Sequence, residues 1–228
     1  MNNTINNNQS SSETTIEQYE IDKEFNEATT VLKDILPAVT LFGSARTSES
    51  DKYYQLAERI SFKFSELGFS VISGGGPGIM EASNKGAFRG KSDSIGLNIR
   101  LPKEQKPNNF QNIKISFNYF FTRKLMFIKF ASAFVVFPGG YGTLDELLQV
   151  LTLIQTKKIN QVPIILVGSE FWNGLIGWLE QAVLSKKMIN QEDLNLIKIM
   201  DDESSIVNYV KAFYQCDGNE VCIFQNLP

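Results

Sequence analysis

The stretch from Ala133 to Thr156 constrains this chain more than any other. Ala133-Phe134-Val135-Val136-Phe137 is a short apolar run of branched and aromatic residues, which is the pattern of a buried strand. Thr143 to Thr156 carries leucines at helical spacing with acids in its first turn, which is the pattern of a helix. Between them lie Pro138, Gly139, Gly140, Tyr141 and Gly142. A glycine-rich loop lets bare backbone N–H groups approach an anion, and the positive end of the following helix adds to that attraction. Gly139, Gly140, Tyr141, Gly142 and Thr143 are therefore expected to cradle a phosphate. Thr143 can cap the helix and offer its hydroxyl to a ligand. An ordinary tight turn is the plainer alternative, and the extra glycine and the threonine weigh against it.

The same strand–loop–helix unit recurs upstream. Ala38 to Phe42 reads as a strand followed by Gly43-Ser44-Ala45-Arg46, and Ser48 with Asp51 has capping-box spacing. Leu56, Ile60, Phe64 and Leu67 form a helical stripe that Gly68 stops. Phe69 to Ser73 is a second strand, with Gly74-Gly75-Gly76-Pro77-Gly78 and a helix through Met80, Ala82 and Ala87 behind it. Ser94 to Ile99 and Val162 to Val167 are further strands. Such alternation predicts an α/β fold with a doubly wound parallel sheet, helices on both faces and a single domain. Ligands of such sheets bind where the carboxyl ends of the strands meet the loops. Gly43, Ser44, Gly75 and Gly76 thus join the candidate ligand-binding set.

Two acids follow the glycine loop. At about 100° per residue, Asp145 falls with Gln149, Thr152 and Thr156 on a polar arc, whereas Glu146 falls among leucines and valines. A carboxylate in a partly dry place needs a cationic partner or a task, so Glu146 is the candidate catalytic acid. Phe117 to Ser132 reads as a helix apolar in nearly every direction. Arg123 lies between Phe127 and Phe130 on its wheel, where a guanidinium needs either a core partner or an anionic ligand. Lys124 can reach the same ligand, while Lys129 is a surface lysine. These two helices are apolar on more than one face, so a homodimer or higher homo-oligomer is expected.

The remainder is organised around that domain. Residues 1–15 are almost wholly polar and read as a disordered tail. Residues 16–215 form the domain, opened by a helix from Ile16 to Leu36, and residues 216–228 are a C-terminal tail. Leu101 to about Ile115 reads as a polar flap, Phe171 to Lys186 as an amphipathic helix with two core or interface tryptophans, and Ser204 to Tyr214 as a closing helix. Gly74 to Glu81 does not fit the dinucleotide fingerprint, and Gly86 to Ser92 is one residue short of a phosphate-binding Walker loop. Neither NAD binding nor ATP hydrolysis is expected.

Composition removes further classes. The net charge of −3 gives no footprint for nucleic acid or an anionic membrane, and no stretch is apolar enough to span one. With no histidine at all, Ser-His-Asp and Cys-His catalysis and histidine metal sites are excluded. Cys216 and Cys222 read as reduced thiols, so the chain is expected to be cytoplasmic and to need neither metal nor cofactor.

Pro138-Gly139-Gly140-Tyr141-Gly142-Thr143-Leu144-Asp145-Glu146, with Thr122-Arg123-Lys124 upstream on a helix, resembles the signature of the Lonely guy family of cytokinin-activating phosphoribohydrolases, long labelled lysine decarboxylase-like. The resemblance runs from about Thr40 to Val210. Gly43 to Arg46, Gly74 to Glu81, Leu101 to Gln105 and Leu151 to Gln155 resemble the larger bacterial-type branch. It implies a Rossmann-like fold and hydrolysis of the N-glycosidic bond of a purine nucleoside 5'-monophosphate to free base and ribose 5-phosphate. It implies that Arg123 and Glu146 are the catalytic pair, that Gly139, Gly140, Gly142 and Thr143 form the phosphate loop, and that Lys124 and Thr152 touch substrate. Arg123 could hold Glu146 ionised or contact the nucleotide directly, and both roles stay open. No loop-and-lysine arrangement supports the pyridoxal cofactor that the older label implies. The competing class is a non-catalytic nucleotide or cofactor carrier of the same fold, and the presence of both Arg123 and Glu146 favours the enzyme.

Overall fold

The computed structural model describes residues 7–35, 37–101 and 106–214, with side chains from 17 onward. Cys216, Cys222, the C-terminal tail, residues 1–6 and the Pro102–Gln105 part of the expected flap lie outside the described residues. The elements follow in the order α1 (Asn7–Leu32), β1 (Ala38–Phe42), α2 (Lys52–Glu66), β2 (Ser70–Ser73), α3 (Ile79–Phe88) and β3 (Ser94–Ile99). Next come β4 (Ile113–Phe117), α4 (Phe120–Lys129), β5 (Ala133–Val136), α5 (Tyr141–Gln155), β6 (Ile164–Val167) and α6 (Ser169–Trp178), which runs on as a π-helical turn over Leu179–Leu184. α7 (Gln191–Asn195), β7 (Ile197–Met200) and α8 (Glu203–Phe213) complete the domain.

The strands form one seven-stranded sheet in the order β4-β3-β2-β1-β5-β6-β7, and every pairing is parallel. The doubly wound α/β architecture expected from the sequence is therefore what the chain adopts. Side chains alternate across it as a strand's period of two requires. On β1, Ala38 and Phe42 enter one core with Phe127, Phe134, Val150 and Trp172. Val39 and Leu41 enter the other with Tyr54, Ile60, Phe64 and Val210. α1, α4, α5 and α6 thus cover one face, and α2, α3 and α8 the other. β1 is buried along its whole length, the normal state of a strand covered on both sides.

The topology turns at β1, whose two neighbours, β2 and β5, lead to opposite halves of the sheet. Such a switch point opens a crevice at the carboxyl ends of its strands. The loops after β1 and β5 meet there.

Four local expectations need correcting. α1 starts at Asn7, so residues 7–15 belong to a helix where a disordered tail is expected; no glycine or proline interrupts that run. β4 is a strand at the end of the stretch expected to be a polar flap, and β7 is a strand in the stretch between Lys186 and Ser204, for which no element is expected. Both are edge strands; β4 alternates half-buried with exposed residues, which weakens the apolar signal. α4 begins at Phe120, not Phe117, because Phe117 is paired in β4 opposite Ile99. Finally, α2 is capped by Asp51 itself, whose carboxylate accepts from Tyr53 N at 2.7 Å. No helix among the described residues is long and apolar enough to cross a membrane.

Candidate active site

Three loops interlock at the switch point through backbone hydrogen bonds. Ser44 N donates to Pro138 O at 3.0 Å, and Ile79 N donates to Ser44 O at 3.0 Å. The β1 loop is thereby held between the β5 loop and the start of α3. This approach is close: a Cβ on Gly43 would lie 2.6 Å from Ile79 Cγ2, and one on Gly78, at φ +67°, 2.3 Å from Ser44 O. The Ser44 hydroxyl accepts from Arg46 N at 3.0 Å, closing the turn on itself.

Above these loops opens a cleft of about 640 Å³. Gly43, Ser44 and Arg46 line it from the β1 loop, Arg123 and Phe120 from α4, and Gly140, Tyr141, Gly142, Thr143 and Glu146 from α5. Met80, Ile99, Leu101 and Leu144 supply an apolar wall.

α5 opens at Gly140 with no side-chain cap, so its first backbone N–H groups carry no capping partner. Thr143 is the third residue of the helix and not its cap. Its side chain is nearly buried, and it lines the cleft. Gly139 is required by the chain itself, since a Cβ there would lie 2.1 Å from Thr143 Oγ1. Gly140 and Gly142 are different: a Cβ at either meets nothing within 4 Å, and neither has positive φ. Nothing in the fold explains the missing side chains at these two positions.

Glu146 faces the cleft from the next turn of α5. Burial pushes its carboxyl up to about 7; Arg123 pulls it down, Asp145 pushes it up, and Lys124 pulls it down more weakly. Arg123 is only 9% exposed. Its Nε donates to Leu97 O at 2.7 Å and its Nη2 to Gly74 O at 3.3 Å, and the guanidinium lies 5.1 Å from the Phe127 ring centre. Burial lowers its pKa, and the charge of Glu146 raises it again. The two side chains do not close into a salt bridge, so Arg123 acts on Glu146 across space while two carbonyls hold it in place.

Four candidates stand elsewhere. Lys124 does not line the cleft; its ammonium pairs with Asp145. Thr152 is exposed on the outer side of α5 and donates to Leu148 O at 2.7 Å. Gly75 and Gly76 are buried, and their carbonyls accept from Gln111 Nε2 at 2.8 Å and Asn108 Nδ2 at 3.0 Å. They anchor the β2 loop from behind and do not reach the cavity surface. Conversely, the sequence reading passes over Arg46, Met80, Ile99, Phe120 and Leu144. Arg46 carried a signal, a cation directly after a glycine loop at a strand's carboxyl end.

A family profile described as "Possible lysine decarboxylase" matches residues 80–210. The chain belongs to this family. Its curated relatives include cytokinin riboside 5'-monophosphate phosphoribohydrolase LOG1 of Arabidopsis thaliana, 31% identical over 138 residues that cover 55% of this chain and 64% of that one. They also include the pyrimidine/purine nucleotide 5'-monophosphate nucleosidase of Escherichia coli K12, 30% identical over 140 residues, 57% of this chain and 30% of that one. The chain thus spans less than two thirds of either relative. Among solved structures, the molybdenum cofactor binding protein of Rippkaea orientalis superposes with a TM-score of 0.57 at 19% identity, over 78% of this chain and 96% of that one. The molybdenum cofactor carrier protein of Chlamydomonas reinhardtii gives 0.56 at 20%, over 77% and 96%. These two likenesses show a shared fold.

A decarboxylase using pyridoxal needs a lysine that can form a Schiff base, and among the described residues no lysine lines the cleft. The Lonely guy signature does fit, because its arginine, glutamate and glycine loop come together in one cavity.

Proposed function

We propose that the chain hydrolyses the N-glycosidic bond of purine nucleoside 5'-monophosphates, releasing the free base and ribose 5-phosphate. One observation carries this reading: a carboxyl poised near neutrality, Glu146, shares a cleft with an uncapped helix N-terminus whose glycines leave open space. The relatives named for nucleoside monophosphate hydrolysis point the same way.

In this reading the 5'-phosphate sits on the N–H groups that open α5 and takes the Thr143 hydroxyl as a donor. Arg46 lines the same cleft with no ion pair or side-chain hydrogen bond among the described residues and is the cation available to the phosphate. As the C1'–N9 bond breaks, its electron pair leaves with the base and positive charge builds on the ribose. Ionised Glu146 stabilises that charge and takes a proton from the water whose oxygen bonds to C1'. Glu146 then passes that proton on to the departing base, so water is consumed and the carboxylate is ionised again. Arg123 keeps Glu146 partly ionised at neutral pH; tied to Leu97 and Gly74, it is suited to that electrostatic role more than to following a moving phosphate.

The test is kcat/KM for AMP against adenosine, on wild type and Thr143→Val. A loss of at least ~10²-fold without the phosphate, about 2.7 kcal/mol of transition-state stabilisation, is expected. Thr143→Val should lower turnover of AMP and leave adenosine nearly unchanged. Equal efficiency on the two substrates would leave the glycine loop a mere turn. Tight nucleotide binding without base release would favour a carrier.

We also infer a homodimer. Phe120, Phe121 and Leu125 on α4 are 54%, 55% and 45% exposed, and Leu148 on α5 is 47% exposed. A second copy laid across α4 and α5 would cover this apolar surface.

A further inference from the structure

α1 presents a buried stripe to α4, and its members Ala28 and Leu32 are fully covered. One turn before Ala28, in the same stripe, stands Glu24 at 9% exposure. An acid there is costly unless its oxygens are satisfied. No lysine or arginine among the described residues forms an ion pair with it. Its partners all belong to the entry of α4: Asn118 N at 2.7 Å and Asn118 Nδ2 at 3.2 Å on Oε2, and the Thr122 hydroxyl on Oε1. α4 has no cap of its own, since Tyr119 at its cap position contributes no side-chain hydrogen bond. A carboxylate from a different helix, remote in sequence, therefore ties the residue before the cap position to the first turn of α4, at the helix end where negative charge is favourable.

Thr122 immediately precedes Arg123, and Arg123 and Lys124 are the two cations that hold the Glu146 carboxyl down. Both ride on the turn that Glu24 grips. We propose that Glu24 is a positioning residue: by gripping Asn118 and Thr122 it sets the first turn of α4 and thereby the place of Arg123 in the cleft. The glycine loop lies on α5 and is independent of that grip. Loss of Glu24 should therefore harm the chemical step more than phosphate binding. Misplacement by ~1 Å of a group that acts at a distance can cost up to about 10²-fold in rate.

Substitutions separate this from mere packing. In Glu24→Ala every partner of the carboxylate is lost. In Glu24→Gln the amide oxygen still accepts from Asn118, and the amide nitrogen can donate to the Thr122 hydroxyl, whose own proton is then free for the Tyr119 carbonyl, 2.9 Å away. The kinetic measurement rests on the hydrolase reading: on AMP, Glu24→Ala should lose on the order of tenfold in kcat with KM changed less than threefold, and Glu24→Gln should recover most of the loss. The deciding measurement does not need turnover. The Glu146 carboxyl is titrated by carbon-13 NMR in wild type and both variants. The groups facing it are Arg123 and Lys124 from α4, Asp145 on its own helix and Arg46 across the cleft; a displaced α4 weakens the pull of Arg123 and Lys124 and leaves Arg46 in place. Glu24→Ala should raise the Glu146 midpoint by on the order of half a unit, and Glu24→Gln should restore it. An unshifted midpoint in folded Glu24→Ala overturns the proposal, whatever the rate does. If that variant does not fold, Thr122→Val, which deletes one of the three donors, is titrated instead under the same criterion. A wild type that releases no base from AMP would end the hydrolase reading, and the titration would still decide the role of Glu24.

Discussion

Gly74 has no side chain because the guanidinium of Arg123 occupies that space: a Cβ on Gly74 would lie 2.4 Å from Arg123 Nη2 and 2.6 Å from Met80 Sδ. The glycine and the arginine come from opposite ends of the α3–β3–β4 segment and fit together behind the cleft. Gly74 has no positive φ, so alanine is acceptable to its backbone and the clash is its only obstacle. Gly74→Ala should therefore fold, push the guanidinium out of place and lower kcat on AMP by at least ~10-fold, with a smaller effect on KM. Steady-state kinetics and a thermal melt check this; wild-type kcat would show that Arg123 need not stay where it is.

The neighbouring glycines of the α5 loop should separate cleanly. Gly139→Ala drives a methyl group into Thr143 and should cost about 1–3 kcal/mol of stability, the usual range for overpacking. Gly140→Ala enters open space and should leave the melting temperature nearly unchanged, yet raise KM for AMP by about tenfold by intruding on the phosphate. Were both variants equally unstable and Gly140→Ala normal in KM, the phosphate would have to lie elsewhere.

The pH profile follows from Glu146. Burial pushes its carboxyl up to about 7 in the folded chain, and in the proposed reaction the ionised form is the active one. kcat/KM should be flat above that value and fall as pH drops through it. Asp145→Asn removes a like charge, so the acid limb should move to lower pH with little loss of maximal rate; Lys124→Met removes an attractive charge and should move it up. Glu146→Gln should abolish base release at every pH. A limb near pH 4 would mean that the carboxylate is solvated in the working enzyme.

Assembly can be read from mass. Light scattering at micromolar concentration should give twice the 25.7 kDa of one chain or a multiple of that. Leu148→Glu should shift it to monomer without unfolding, because Leu148 is half exposed in the single chain. A wild-type monomer would leave the apolar faces of α4 and α5 without the cover inferred for them.

Short-range pattern carried much of this protein into view. β1, β2, β3, β5 and β6 are buried on both sides, so each is a compact apolar run that stands out from its flanks. Glu146 and Asp145 are adjacent, and helical periodicity alone assigns one to the apolar sector and the other to the outward polar arc. Arg123 on the Phe127 side of α4 follows from the same periodicity. Edge strands were harder to see: β4 and β7 bury less, and their polar positions dilute the apolar count.

The sequence by itself determined the sheet class, the glycine-loop helix and two of the three charged residues described in the cleft, because each depends on residues a few positions apart. Only the tertiary structure decided which neighbours these groups have. Lys124 turns to Asp145 and not to the cavity, and Gly75 and Gly76 are drawn back by Asn108 and Gln111. Arg46 comes to line the same cleft as Thr143, and Glu24 takes hold of α4 from a helix far upstream. Those pairings join segments whose separation along the chain carries no period, and they exist only once the parallel crossovers have brought the segments side by side.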